Sequence, residues 1–345
     1  MAHVEVGAEI MTPPTTPEVE VLLATYFGER FLREQIDSIL AQDYAQDYPA
    51  LRILARDDGS SDGTPTILAE YASQFPGRIR VMPDAHPTGG AKTNFLELMK
   101  AAGPGFVCFA DQDDVWLPDK VRRSMEAMRT LEQQHGADNP LMVFSDLRVV
   151  DAELKTIAPS MWRQTGTHAE SVHRLERLVG QSVVTGCTLT INHRMLELAR
   201  RMPNEATMHD RWIALIAAAM GAAAIVPGQT VLYRQHGTNV VGASAPDDSL
   251  AGIARRGSDS TGRRAERLRS EKQAEALLRV YAEELPPRSR QLLAAYLRSG
   301  RRSSAAERVL LTLRYGFFRG GVLKSLGTVL DLARSRSDVG LDVGR

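Results

Sequence analysis

Three carboxylates stand within four residues in Asp111-Gln112-Asp113-Asp114, directly after the apolar run Phe106-Val107-Cys108-Phe109-Ala110. Like charges that close repel unless a cation or solvent offsets them, so the cluster suits a metal site at the tip of a buried strand. An acidic helix start is the plainer alternative, because Pro118 and Asp119 also suit a first helical turn. A second acidic group, Arg56-Asp57-Asp58-Gly59-Ser60-Ser61-Asp62-Gly63-Thr64, follows another short apolar run. Its Gly, Ser and Asp residues favour a tight turn and a helix cap, yet a cap needs one such side chain, and Asp57 and Asp58 both precede the turn. A third carboxylate, Asp210 in Thr207-Met208-His209-Asp210-Arg211-Trp212, opens an apolar helical stretch, where the helix dipole alone would favour it.

The elements that must position these residues follow from hydrophobic period. Residues 19–25 are a short β-rich run, and 29–41 carry Phe31, Leu32, Ile36, Ile39 and Leu40 at helical spacing. The same strand-then-helix pattern recurs over 51–55 and 64–75, over 79–82 and 93–102, and over 106–110 and 119–133. Four such repeats predict a largely parallel sheet with helices on both faces, in which ligands gather at the carboxyl ends of the strands. Thr25-Tyr26, Asp57-Asp58 and Asp111 to Asp114 all fall there. Beyond a strand at 141–144 the pattern predicts irregular chain over 146–151, a loop holding Trp162, a helix over 170–179, a strand over 184–191, a helix over 208–220 and a strand over 229–233. Residues 237–248 read as a linker, and helix-prone segments follow near 265–281, 288–297, 305–313 and 322–332.

Composition bounds the rest. The chain has 345 residues, 43% hydrophobic and 24% charged, with 42 basic and 42 acidic side chains, so global charge gives no argument for a nucleic-acid partner. Its two cysteines, Cys108 and Cys187, sit in apolar runs without metal-ligand spacing and read as buried thiols. Residues 1–17 lack a secretory signal and carry Thr12-Pro13-Pro14-Thr15-Thr16-Pro17, which predicts a disordered leader. The apolar stretch 213–226 falls short of the about 20 residues a membrane span needs.

Taken together with Ala24-Thr25-Tyr26-Phe27-Gly28-Glu29-Arg30, Gly90 to Phe95 and Tyr233-Arg234-Gln235-His236-Gly237, these motifs resemble the inverting family-two glycosyltransferases of the GT-A fold. Asp111 to Trp116 and Tyr233 to Gly237 resemble the bacterial rhamnosyltransferase-like group within them. The resemblance spans about residues 19–245 and implies a GT-A domain over 18–245, with a nucleotide-sugar half at 18–140, an acceptor half at 141–245, and a basic helical region at 246–345. It implies that Asp57 accepts from the nucleobase N–H, with Thr25, Tyr26 and Glu29 lining the same pocket. Asp113 would ligate a Mg or Mn ion, with Asp111 as ribose contact or second ligand and Asp114 at the helix start. His236 would complete the metal or diphosphate contacts, or be a surface loop histidine; Arg234 would counter the diphosphate, or be a salt-bridge partner. Asp210 would be the base that takes the proton of the attacking alcohol, since one in-line displacement inverts the anomeric centre without a covalent nucleophile.

Lys92 and Asn94 would touch the donor or only cap a helix, Gly186 would give an acceptor close access, and Trp162 and Trp212 would stack on a sugar or fill the core. Between Arg301 and Arg336 eight basic residues stand against Glu307 and Asp331, interleaved with Val309, Leu310, Leu313, Phe317 and Leu323. Such a stretch suits anionic lipid headgroups, or a helical appendage with a solvated basic face. The resemblance implies a dTDP- or UDP-sugar donor, plausibly dTDP-rhamnose, a glycan or lipid-linked acceptor, and a cytoplasmic enzyme peripheral at the inner face of the membrane. Two other readings compete: a sugar nucleotidyltransferase, whose glycine-rich phosphate loop is missing after the first strand, and a non-catalytic nucleotide-sugar-binding protein.

Overall fold

The computed structural model describes residues 19–43, 51–83, 87–236, 260–301 and 304–317. The leader at 1–17, the linker at 237–248 and the segment at 322–332 lie outside the described residues. β1 (Val19–Thr25), α1 (Leu32–Leu40), β2 (Leu51–Asp57), α2 (Thr64–Gln74), β3 (Ile79–Val81), α3 (Ala91–Ala101), β4 (Phe106–Asp111), β5 (Val115–Trp116) and α4 (Lys120–His135) give the expected alternation. β1 is flanked in parallel by β2 and β4, with Thr25 opposite Asp57 and Ala24 opposite Asp111. The strand order therefore switches direction at β1, and in such sheets a crevice opens beyond the carboxyl ends on either side of the switch. Alternate residues of β1 enter two separate cores. Leu22 and Ala24 pack with Phe95, Val107 and Phe109 on one face, and Val21 and Leu23 pack with Ile36, Ile53 and Val121 on the other.

The second half is formed by β6 (Leu141–Val150), β7 (Thr156–Ala158), α5 (Met161–Thr165), α6 (Leu175–Leu178), β8 (Thr190–Ile191), α7 (His193–Ala199), α8 (His209–Met220) and β9 (Ala222–Arg234). Among the described residues one sheet runs in the order β3-β2-β1-β4-β8-β6-β9-β5, with β7 beside β6. Pairing is parallel from β3 to β4 and between β6 and β9, and antiparallel where β8, β5 and β7 join. The largely parallel expectation thus describes the first half, and the whole sheet is mixed.

Several expected boundaries move for local reasons. The apolar stretch 213–226 divides into the end of α8 and the start of β9 at Gly221, where a Cβ would lie 2.0 Å from the Pro140 carbonyl oxygen. β9 begins seven residues before the expected 229 because Pro227 and Gly228 are taken up as a bulge; Ser145 pairs with Val226 and Asp146 with Gln229, and Gly228 has φ +73. β6 accordingly continues through 146–150, where irregular chain was expected. The expected strand over 184–191 shrinks to β8, because Gly186–Thr188 forms a 3-10 turn. The helix expected over 170–179 is a 3-10 turn, Ala169–His173, and α6, separated by the extended Arg174 at φ −127, ψ 98.

α9 (Ser260–Val280), α10 (Pro287–Arg301) and α11 (Ala305–Tyr315) follow. Leu277, Tyr281, Leu285 and Leu293 from this region belong to the same buried cluster as Trp212 and Ile216 of α8. Both cysteines are free and buried. Among the described residues no helix is long and apolar enough to cross a membrane.

Candidate active site

The site grows from three strand ends. At the end of β2, Asp57 Oδ1 accepts from Thr25 Oγ1 at 2.9 Å and from Ser60 Oγ at 2.6 Å, while Oδ2 accepts from the N–H groups of Gly59 at 3.1 Å and Ser60 at 2.7 Å. Gly59 has φ +91, which lets the backbone fold over this carboxylate. The neighbouring Asp58 turns inward to the buried Arg56 guanidinium at 3.0 Å and to the N–H groups of Thr88 and Gly90. Burial opposes its ionisation, but the Thr88, Arg56 and Gly90 donors together hold its carboxyl below the usual range. Asp58 therefore fixes the loop into α3, and Asp57 is left at the crevice.

Beyond β1, Tyr26 is 57% exposed and packs edge-on against Phe27, whose φ of +52 marks a strained turn. Gln112 clamps this turn: its Oε1 accepts from Tyr26 N at 2.7 Å and its Nε2 donates to Tyr26 O at 2.8 Å. Glu29 accepts from the Gly63 N–H at 2.8 Å, so it ties the β1 loop to the start of α2. Lys92 donates to Asn204 O, and Asn94 bridges Thr25 O and Arg56 O; both have protein partners.

At the end of β4, Asp113 Oδ2 and His236 Nε2 meet at 2.8 Å, and the His236 ring lies 5.0 Å from that of Phe31. Burial, then the Asp113 and Asp210 charges, push the Asp111 carboxyl up to about 7. Asp114 is not at a helix start, which corrects the expectation for it: α4 begins six residues later, at Lys120 behind Asp119. Asp114 is fully buried, and its Oδ1 accepts from Arg234 N at 3.1 Å while Oδ2 has no hydrogen-bond partner. Burial and the charges of Asp113 and Asp111 hold its carboxyl well above the usual range. Oxygen or sulfur atoms of Asp111, Asp114 and Cys187 lie within 4.8 Å of one another.

Arg234 is 2% exposed, donates from Nε to Asp113 O at 2.8 Å, binds Glu34 and Ala152 O, and lies 4.4 Å over the Phe31 ring. Its charge supports the acidic turn through protein contacts. Lys120 is fully buried 4.5 Å over the Trp116 ring with no hydrogen-bond partner at Nζ; burial lowers its pKa against the pull of Cys108, Cys187 and Asp114. Sequence reasoning missed Gln112, Lys120 and the inward Asp114, because the Asp-rich motif does not say which side chain faces which way.

Asp210 is the second residue of α8. Its Oδ1 accepts from Arg211 N at 2.5 Å, and the Gly186 N–H also donates to the carboxylate. Burial pushes this carboxyl up to about 6 in spite of those donors. The segment is braced from α9, where Gln273 Oε1 accepts from Thr207 N at 2.8 Å and Ser270 Oγ from Arg211. Trp212 is core, donating to Tyr281 OH, and Trp162 packs on Phe144. The space expected for an acceptor at Gly186 is taken by His209, whose Nε2 lies 2.7 Å from where a Cβ would be.

The parallel strand arrangement with its switch point and the acidic turn beside it form a ligand crevice of the nucleotide-binding α/β type, near which Asp210 has a raised carboxyl pKa. Residues 20–149 match the profile described as Glycosyl transferase family 2, which supports a glycosyltransferase. The chain is 27% identical over 233 residues, 64% of this chain and 74% of the relative, to the dTDP-rhamnosyl transferase RfbG of Shigella flexneri. Over 110 residues it is 29% identical to the UDP-Glc:alpha-D-GlcNAc-diphosphoundecaprenol beta-1,3-glucosyltransferase WfgD of Escherichia coli, spanning 32% of this chain and 42% of that protein. The S. aureus TarS structure with UDP-GlcNAc superposes at TM-score 0.49 and 14% identity, covering 90% of each chain.

Proposed function

We propose that the chain transfers a sugar, specifically rhamnose from dTDP-rhamnose, with inversion to a hydroxyl of a cell-surface glycan or lipid-linked acceptor at the inner face of the membrane. The observation that carries this reading is the pairing of Asp210 with the acidic turn: a carboxyl raised to about 6 sits close enough to Asp111 for their charges to interact. The 27% identity to a dTDP-rhamnosyl transferase supports the choice of donor, and the relative named for a diphosphoundecaprenol substrate supports a lipid-linked acceptor.

Asp57, with its orientation fixed by Thr25 and Ser60, keeps further lone pairs for a nucleobase N–H. Tyr26 offers an exposed ring beside it. Glu29 and Arg234 act at one remove, holding the walls of the pocket. The acidic turn fits a divalent cation. Its Asp113–His236 contact, the unpartnered Asp114 oxygen and the raised Asp111 carboxyl form a mostly oxygen donor set under like-charge repulsion, which suits Mg or Mn. Asp113 and His236 would hold the ion, with Asp111 second. Bound there, it would balance the diphosphate charge that builds as the sugar departs. Asp210 takes the proton of the acceptor hydroxyl as that oxygen attacks the anomeric carbon from the opposite side. A nucleotide-release screen against UDP, GDP and dTDP sugars tests the reading. Preferential release from dTDP-rhamnose is the expected result, and turnover of another donor with none of dTDP-rhamnose would overturn the assignment of the sugar.

A further inference from the structure

His209 is buried, packs face to face with Phe109 at a centroid distance of 4.9 Å and tilts against Phe95 at 4.0 Å. Neither ring nitrogen has a hydrogen-bond partner, and burial drives the imidazole pKa down to about 3, so the ring is neutral. Its free edge faces Gly186, where an added Cβ would stand 2.7 Å from Nε2, 2.9 Å from Cε1 and 3.8 Å from the Asp210 Cβ. Real Cβ atoms do not approach ring atoms that closely. Gly186 is itself pinned by the Leu189 N–H, which donates to its carbonyl at 3.0 Å. The Gly186 N–H then donates to the Asp210 carboxylate.

We propose that His209 and Gly186 are a size-matched pair of positioning residues, in which the five-membered ring sets how closely the Gly186 backbone approaches α8 and so holds its N–H on the Asp210 carboxylate. The inference rests on the reading of Asp210 as the base. Imidazole is the aromatic side chain that fits, because a six-membered ring clamped between Phe95 and Phe109 would extend into the Gly186 backbone. A methyl group at 186 and a larger ring at 209 therefore cause the same collision. Both displace the N–H from the carboxylate without touching the nucleotide pocket at Thr25 and Asp57.

The test is slow donor hydrolysis, in which water replaces the acceptor and loses its proton to the same carboxylate; the substrate is dTDP-rhamnose or whichever nucleotide sugar the screen returns. Gly186→Ala and His209→Phe are each expected to lower kcat by ~10- to 100-fold with an unchanged donor KM. The double variant Gly186→Ala/His209→Ala makes room for the new methyl and is expected to run about fivefold or more faster than Gly186→Ala alone. Parental kcat in Gly186→Ala, or a double variant no faster than the single, overturns the pairing. Should Gly186→Ala fail to fold, His209→Phe decides by the same split between kcat and KM. Asp210→Asn separates the two readings: a parental rate there overturns the base and this inference with it. A slow Asp210→Asn without rescue in the double variant overturns the pair alone.

Discussion

Asp210 is the proposed base. A base must be ionised to accept a proton, and the surroundings of this carboxylate push its pKa up to about 6. The rate is therefore expected to rise as pH climbs through about 6 and to level off above it. Asp111, pushed up to about 7, senses the same charge, so the profile is best measured at saturating cation, which keeps Asp111 ionised through that window. Replacing Asp210 with Asn removes the proton acceptor while keeping the shape, and kcat is expected to fall by about 10²- to 10⁴-fold with donor affinity retained. A pH–rate profile of the variant that keeps both the plateau height and the limb near 6 would place the base elsewhere.

The metal question belongs to elements, since the turn after β4 and the end of β9 must meet to make a site. The folded protein raises the Asp111 carboxyl from 3.8 to about 7, so it binds more protons than the unfolded chain in between, and stability falls as pH rises through that window. A cation offsets the repulsion only when the carboxylates are ionised. Manganese in hundredfold excess over its Kd is expected to stabilise the fold by about 3 kcal/mol at about pH 8, and by clearly less near pH 5.5. Thermal melts with and without the ion read this directly. Asp113→Ala should abolish the gain, and an equal shift in that variant would remove Asp113 from the ligand set. The strand-helix repeats that form the crevice were legible because each strand is followed by a helix of matching period. Asp57, Asp113, His236 and Asp210 were singled out through the resemblance to family-two glycosyltransferases, because residue type alone does not separate Asp57 from Asp58 or Asp113 from Asp111. The 227–228 bulge was not legible, since Pro and Gly in an apolar run read as an ending and only pairing with β6 converts them to a kink. Nor was the burial of Asp114, which depends on Arg234, 120 positions away.

For the molecule as a whole, α9 to α11 change how membrane binding must be tested. The sequence treats everything after 245 as a basic appendage, yet Tyr281 OH donates to Leu198 O at 2.7 Å and accepts from Trp212, and Gln273 holds Thr207 near Asp210. Deleting from 249 onward would uncover Trp212 and release the Asp210 segment, so lost flotation in that chain would report unfolding as readily as lost lipid contact. The informative cut falls after Phe317, which retains every described helix and removes Arg319, Lys324, Arg334 and Arg336, half of the eight basic residues between 301 and 336. Each basic residue near an anionic surface contributes about 1 kcal/mol, and the attraction is screened by salt. The full chain is expected to float with phosphatidylglycerol vesicles at low salt, to release as salt rises, and to stay behind with neutral phosphatidylcholine. The shortened chain should bind the anionic vesicles at least tenfold more weakly, on the order of what losing two such contacts would cost, while melting at the parental temperature. Equal flotation of the two chains would exclude residues 318–345 and leave the exposed Leu310 and Leu313 of α11 as the surface to mutate next.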